Sequence, residues 1–318
     1  MEEDDLAPIA VTAAVLLMMT FYGTVIFTIF KRRNTKLSGT FFKLFASLGV
    51  ADLLMLAKTP LFNSLPPLLT RHWPLTRPFL TSTVSHSDRT ALYIACAIYT
   101  FYTTLRAVFN WGAYYAQAMA LVVLSYNRVT SLWTMSEGEH TWSKTGIRRG
   151  IILPWLCGAL VSLPMAHPCC RSVVANNMTI DAVMMAYYKF SAYTETYVLA
   201  PMLIIFHLIM VWKAMEHRKA VGPLGSQGLS RMKMEGRFAI LGAILCSLYL
   251  FLVLNWQLLW IYGDYFSYYH HLSVLVVQYV FACANPFLLF IFAKHFRSVF
   301  WEVLTCKPDD SVESLVSN

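Results

Sequence analysis

Seven stretches of the chain are apolar and long enough to cross a bilayer, at roughly 8–30, 43–65, 106–129, 147–167, 192–212, 238–262 and 270–293. A helix needs about 20 residues to cross a hydrocarbon core of about 30 Å. Lipid offers no hydrogen-bond partner to an open backbone, so each stretch is predicted to be helical. The predicted fold class is therefore all-α, a bundle of seven transmembrane helices.

The composition supports one membrane domain and excludes an ordinary soluble protein. Hydrophobic residues make up 57% of the 318 residues and charged residues only 13%. No segment outside the spans is long enough to form a core of its own. We expect a short extracellular N-terminus over residues 1–7, the receptor-sized bundle with an interfacial helix over 8–304, and a cytosolic tail over 305–318.

The basic residues are distributed unevenly between the two sides of the predicted bundle. Of the 25 lysines and arginines, 18 fall on one side and 7 on the other. Cytosolic loops carry the excess of Lys and Arg, so the N-terminus is predicted outside and the C-terminus in the cytosol. This distribution explains the net charge of +8 and argues against a nucleic-acid partner.

Three connecting regions carry further expectations. Asn177 begins an Asn-x-Thr match in a loop predicted to be outside, which makes it a candidate glycosylation site. Residues 91–105 are apolar but too short to span alone, and either extend the third span or form a separate helix on the outer rim. Residues 213–237 hold a proline, three glycines and six basic residues, and are predicted to form a mobile cationic loop.

A short amphipathic helix is predicted after the seventh span. Phe296, Val299, Phe300, Val303 and Leu304 recur at helical i, i+3, i+4 spacing with charges opposite them, which suits the membrane interface. Cys306 follows at the position where S-acylation would add a second anchor. The alternative is an unmodified cytosolic thiol.

Polar residues and prolines interrupt the spans in a recurring order. These residues are Asp52 in span two, Arg128 closing span three, Trp155 in span four, Pro201 in span five and Asn285 with Pro286 in span seven. Charges inside a membrane are costly and usually functional. Together the residues resemble the rhodopsin-like G-protein-coupled receptors, and the resemblance covers nearly the whole chain.

Departures from that pattern narrow the resemblance. Asn127 replaces the usual acid before the arginine, Val129 the usual tyrosine, and Leu289 the seventh-span tyrosine, while span six has no proline. With the runs 36–45 and 124–128, the chain is similar to the nematode serpentine chemoreceptors of the class gamma (Srg) superfamily, closest to class V (Srv). The resemblance implies a receptor in the cell membrane of chemosensory neurons that has a heterotrimeric G protein and a small-molecule or peptide ligand as partners.

A ligand site is expected between the outer halves of the helices. Asn110, Trp111, Tyr114 and Gln117 share one face of span three and are predicted to face inward, with Tyr193 and Tyr197 of span five opposite. The lining is predicted to be completed by Asn255, Trp256 and Trp260 of span six and by Gln278 and Tyr279 of span seven. The alternative is that these aromatic residues only pack helices or lie in the interface belt.

The switch is expected at the cytosolic end, with Asp52, Asn285 and Pro286 as further switch residues. Without an adjacent acid, Arg128 is predicted to pair with Glu235 at the foot of span six. The alternative is an arginine that only anchors the helix at the lipid phosphates.

The resemblance also implies a disulfide from Cys96 to Cys169 or Cys170. A vicinal pair and free thiols remain alternatives, since an oxidising exterior permits any of them.

No catalytic motif occurs in the chain, so no enzyme, cofactor or metal site is predicted. The rival class is a ligand-gated channel or small-solute transporter, which should show polar or small residues striped along several spans. Here the polar residues are isolated, one or two per span, and no internal repeat is visible. Membrane lipid is the remaining partner expected of the chain.

Overall fold

The computed structural model describes residues 3–33, 37, 39–58, 60–61, 101–102, 104–106, 108–134, 142–166, 189–220, 226–262 and 267–305. Within helices, the side chains at 3–8, 108, 110, 134, 163–166, 217–220, 226–235, 259–262 and 267–275 are outside this description. The structural statements below concern the described residues and side chains.

Seven long helices and one short helix make up the described part, and it contains no strand. They are α1 (Glu3–Lys31), α2 (Thr40–Lys58), α3 (Ala113–Thr134), α4 (Lys144–Ala166), α5 (Ala200–Ala220), α6 (Ser226–Tyr262), α7 (Ser267–Phe292) and α8 (Lys294–Leu304). The prediction of an all-α seven-helix bundle is confirmed.

Membrane-crossing character is visible in the helices themselves. Among the described residues, Ile9–Lys31, Thr40–Lys58, Lys189–Glu216 and Gly236–Leu258 are each long and apolar enough to span, and the bent pair Val276–Phe292 with Lys294–Leu304 gives a fifth candidate. Helices α3 and α4 fall outside this set. For α3, the polar residues of its interior face explain the lower apolar content.

Helix α3 lies at the centre of the bundle. It packs against α2, α4, α5 and α6, and its residues from Ala113 to Ser125 are almost all buried. Small residues allow the closest approach: a Cβ added to Gly158 of α4 would collide with the backbone carbonyl of Gly112. A central position exposes α3 to residues of several helices at once, which is why it contributes to each polar group described below.

Two π-helical segments precede the regular parts of α3 and α5. They are Val108–Gly112 and Glu195–Leu199. A π segment inserts an extra residue into a helical turn and rotates the side chains that follow, and such segments occur frequently at functional sites. Both segments lie in the halves of their spans predicted to be outer.

The amphipathic helix α8 leaves α7 at a bend of 99° between Val276–Phe292 and Lys294–Leu304. Phe296, Val299, Phe300 and Val303 are buried against the bundle, and the rings of Phe290 and Phe300 lie 5.3 Å apart. Leu304, which we expected on the same face, is largely exposed. Its side chain lies past the last turn that α1 and α7 cover.

The predicted mobile loop at 213–237 is wrong for most of its length. Helix α5 continues to Ala220 and α6 begins at Ser226, about three turns before the predicted start of span six. A helix that projects beyond the bilayer needs no apolar residues. In α5, the Lys213 ammonium pairs instead with the Glu216 carboxylate one turn later, at 2.8 Å.

Candidate functional site

A buried carboxylate marks the outer half of the bundle. Glu195, in the π segment of span five, is only 6% exposed. It accepts hydrogen bonds from the hydroxyls of Tyr114 of α3 and Tyr249 of α6, and the Tyr249 contact measures 3.1 Å. Beside it, the hydroxyls of Tyr115 and Ser191 share a hydrogen bond. These five residues, here called the outer group, join spans three, five and six.

Sequence reasoning missed Glu195. The signal was present, because an ionisable residue inside an apolar span is a functional candidate by default. Glu195 lies between Tyr193 and Tyr197, which were chosen for their aromatic rings instead. Both hydrogen bonds to the carboxylate end on Oε1, so Oε2 receives no donor from the described residues.

The inward orientation predicted for two tyrosines is wrong. Tyr193 is 54% exposed and Tyr197 is 71% exposed, and their rings contact each other with centroids 5.8 Å apart. The π segment that begins at Glu195 turns the carboxylate toward the bundle and leaves both tyrosines on the outer surface. Interface-belt packing, the alternative considered for these aromatic residues, describes this position.

The other residues predicted to line a ligand site take several positions. Tyr114, Gln117 and Gln278 are buried in the bundle, and Trp111, Trp256 and Tyr279 are partly buried against its core. Asn255 uses its amide on the Phe251 carbonyl of its own helix, at 2.8 Å. The buried indole N–H of Trp256 has no acceptor among the described residues.

A second polar group surrounds Asp52 at mid-bundle. Its carboxylate accepts hydrogen bonds from the Tyr22 hydroxyl of α1, the Gln117 amide of α3 and, at 2.5 Å, the Asn285 amide of α7. All four side chains are buried. This central group ties four helices to one carboxylate, and hydrogen bonds to a charged acceptor are among the stronger ones in proteins.

Gly49 makes the Tyr22 contact with Asp52 possible. A Cβ at Gly49 would lie 2.9 Å from the Tyr22 ring and 2.9 Å from the Ile26 side chain. Gly49 precedes Asp52 by about one helical turn and therefore lies on nearly the same face of α2. The missing side chain lets the ring of α1 approach α2 closely enough for its hydroxyl to meet the carboxylate.

Arg128 closes α3 between two aromatic rings. Its guanidinium carbon lies 3.9 Å from the Phe41 ring centroid and 4.6 Å from the Phe238 ring centroid. The two rings are 4.5 Å apart, and Arg128 is 7% exposed. Phe41 belongs to α2 and Phe238 to α6, so this aromatic clamp joins three helices through cation–π contacts.

Several predicted residues lie outside the described part of the structure. These are the side chains of Asn110, Trp260 and Glu235, and the residues Cys96, Cys169, Cys170, Asn177 and Cys306. The described cysteines, Cys157, Cys246 and Cys283, are free thiols. Among the described residues no three acidic, histidine or cysteine side chains are grouped as they would be to hold a metal ion.

Comparison with known proteins gives one family. The family model described as "Serpentine type 7TM GPCR chemoreceptor Srv" matches residues 11–306. That match covers all seven long helices apart from the first turns of α1, and it also includes α8. No curated protein matches the chain.

Proposed function

Since the chain belongs to the Srv family of serpentine seven-transmembrane chemoreceptors, we propose that it is a nematode G-protein-coupled chemoreceptor in the cell membrane of sensory neurons. A small-molecule or peptide ligand binds between the outer halves of the helices, and the cytosolic ends then engage a heterotrimeric G protein. The family is one of receptors and not of enzymes.

The observation that carries this proposal is that one helix contributes to all three interhelical groups. Tyr114 belongs to the outer group, Gln117 to the central group and Arg128 to the aromatic clamp. At 1.5 Å per residue, Tyr114 and Arg128 are about 21 Å apart along α3. A rigid helix with interactions along its length can couple sites at that separation.

Helix α6 is the element we expect to move. It contacts the outer group through Tyr249 and the aromatic clamp through Phe238. A ligand that displaces Tyr249 from Glu195 changes the position of α6 and separates Phe238 from Arg128. The freed guanidinium then becomes available to the G protein, so the two ends form a two-state switch.

The isolated arrangement of the polar side chains favours a receptor over a channel. The outer and central groups consist of side chains that hydrogen-bond to one another across helices. A water path needs polar or small residues continuously along several spans. Transport of ions or solutes therefore has no specific support from the described residues.

The test is expression in cells that carry a calcium or cAMP reporter, with a panel of volatile odorants, water-soluble odorants and peptides. We expect a ligand-evoked response that Arg128→Ala abolishes while surface expression persists. Arg237→Ala is the matched control, because Arg237 is an exposed arginine one residue before Phe238. A ligand-evoked current that survives G-protein blockade would contradict the proposal and favour a channel.

A further inference from the structure

A groove of about 570 Å³ lies between the ends of α1, α2 and α4 that the charge distribution places in the cytosol. Its walls include Phe30 of α1 and Trp155 of α4, and its floor includes Ala46 and Val50 of α2. Arg33 and Lys43 complete the lining. The groove combines an apolar interior with two cationic side chains.

The shape of the groove follows from the sizes of its residues. Small side chains on α2 form the floor between two large aromatic walls, and Phe30 is 49% exposed. The Ser47 hydroxyl accepts the indole N–H of Trp155 at 3.0 Å, so the polar group of the floor is already used. From Lys43 to Val50 the floor extends about 10 Å along α2. The interior therefore suits a hydrocarbon chain.

The two cations are not neutralised by the described part of the protein. Arg33 follows the last turn of α1 and Lys43 lies in the first turn of α2, and neither forms an ion pair there. The only described contact of the Arg33 guanidinium is with the Phe30 ring, at 5.9 Å. Two positive charges beside an apolar groove are complementary to a molecule with an anionic head and an apolar tail.

We propose that this groove binds a phospholipid with an anionic headgroup from the cytosolic leaflet. Arg33 and Lys43 bind the headgroup, and one acyl chain lies against Phe30, Val50 and Trp155. Basic pockets between helices on the cytosolic side bind anionic lipid headgroups, and each Lys or Arg near an anionic surface contributes to the affinity.

A larger groove on the same molecule sharpens this assignment. It lies between α3, α4 and α5, has a volume of about 990 Å³, and includes Arg149 as its one charged lining residue. An apolar groove with a single cation discriminates less between anionic and neutral lipids. Selectivity for the anionic headgroup is therefore expected from the groove that holds Arg33 and Lys43.

The experiment uses the full chain purified in detergent, with palmitoyl-oleoyl phosphatidylserine or phosphatidylcholine added, and counts bound lipids by native mass spectrometry. We expect the wild type to retain phosphatidylserine in preference. Arg33→Gln with Lys43→Gln should lower phosphatidylserine affinity roughly 30-fold, from two charge contacts. Phosphatidylcholine affinity should change little. The measurement needs no receptor ligand or G protein, so its outcome is independent of the proposed function.

Two further variants separate the groove from general surface charge. Lys144→Gln with Arg148→Gln removes two exposed charges at the same end of the bundle, outside the groove, and should leave phosphatidylserine retention unchanged. Val50→Phe fills the groove without changing charge and should weaken retention, with the melting curve as the check on folding. Equal loss in the control pair, unchanged binding in the groove pair, or equal retention of phosphatidylcholine by the wild type overturns the proposal.

Discussion

The guanidinium carbon of Arg128 lies 3.9 Å from the centroid of the Phe41 ring. Phe238 approaches the same guanidinium from α6, at 4.6 Å. The residue before Arg128 is Asn127, which is buried and uncharged. An arginine at the end of α3 is thus contacted by two aromatic rings, where the wider receptor family places an acid beside it.

Phe238→Leu should raise ligand-independent signalling. The substitution removes one of the two cation–π contacts of Arg128, each of which contributes about 0.5–2 kcal/mol. A loss of about 1 kcal/mol from the resting state raises the active population about fivefold while that population is small. Basal reporter activity at matched surface expression measures the change.

The control for the clamp is Phe42→Leu. The Phe42 ring packs against Phe238 at 6.4 Å, and no cation–π contact joins it to Arg128. We expect wild-type basal activity from this variant. Equal basal activity in both variants would show that ring packing, and not the contact with Arg128, sets the resting state.

Gly49→Ala should destabilise the receptor, whereas Gly23→Ala should not. The new methyl at position 49 forces the Tyr22 ring away and breaks its hydrogen bond to the buried Asp52, a loss of about 1–3 kcal/mol. No atom lies within 4 Å of a Cβ at Gly23. Thermal unfolding of the purified variants measures the difference, and equal melting temperatures would refute the role assigned to Gly49.

Tyr114→Phe and Tyr197→Phe should differ although each removes one tyrosine hydroxyl. The Tyr114 hydroxyl donates to the buried Glu195 carboxylate, and its loss leaves the outer group with one donor fewer. Tyr197 is 71% exposed on the outer surface of span five. We expect reduced melting temperature and altered ligand potency for Tyr114→Phe only. A larger effect at Tyr197 would restore the original expectation for that residue.

Phe300→Ala should weaken α8 docking more than Leu304→Ala. The Phe300 ring is buried beneath the bundle, 6.3 Å from the Phe21 ring, and large-to-alanine changes in a core cost about 3–5 kcal/mol. The Leu304 side chain is largely exposed. Surface expression and protease sensitivity of the tail after α8 report the difference. Comparable loss in both variants would mean that α8 depends on lipid contact and not on packing.

The residues of span five show how far sequence reasoning reached into the site. The span was predicted from its apolar length, and the structure contains it. Glu195 could have been selected as a charge within that span. Its partners could not, because Tyr114 and Tyr249 are 81 and 54 residues away in the chain. The π segment that turns Glu195 inward also reversed the expected orientation of its neighbours.

Asp52 and Arg128 were both chosen from the sequence, with different outcomes for their surroundings. Asn285 was predicted as a switch residue beside Asp52, and the two side chains are hydrogen-bonded. Tyr22 carried no comparable signal, because a tyrosine in an apolar helix is ordinary. The partner predicted for Arg128 was an acid, and the structure places Phe41 and Phe238 against it, two residues that read as apolar packing.

The sequence by itself determined the number of helices, their approximate bounds and the amphipathic face of α8. These properties are local, since lipid requires about 20 apolar residues for each crossing and an interfacial helix requires one apolar face. Only the tertiary structure decided which side chain of span five turns inward and which residues contact Asp52 and Arg128. Those outcomes depend on the rotation of each helix and the distances between helices, which are set by packing among residues far apart in the chain.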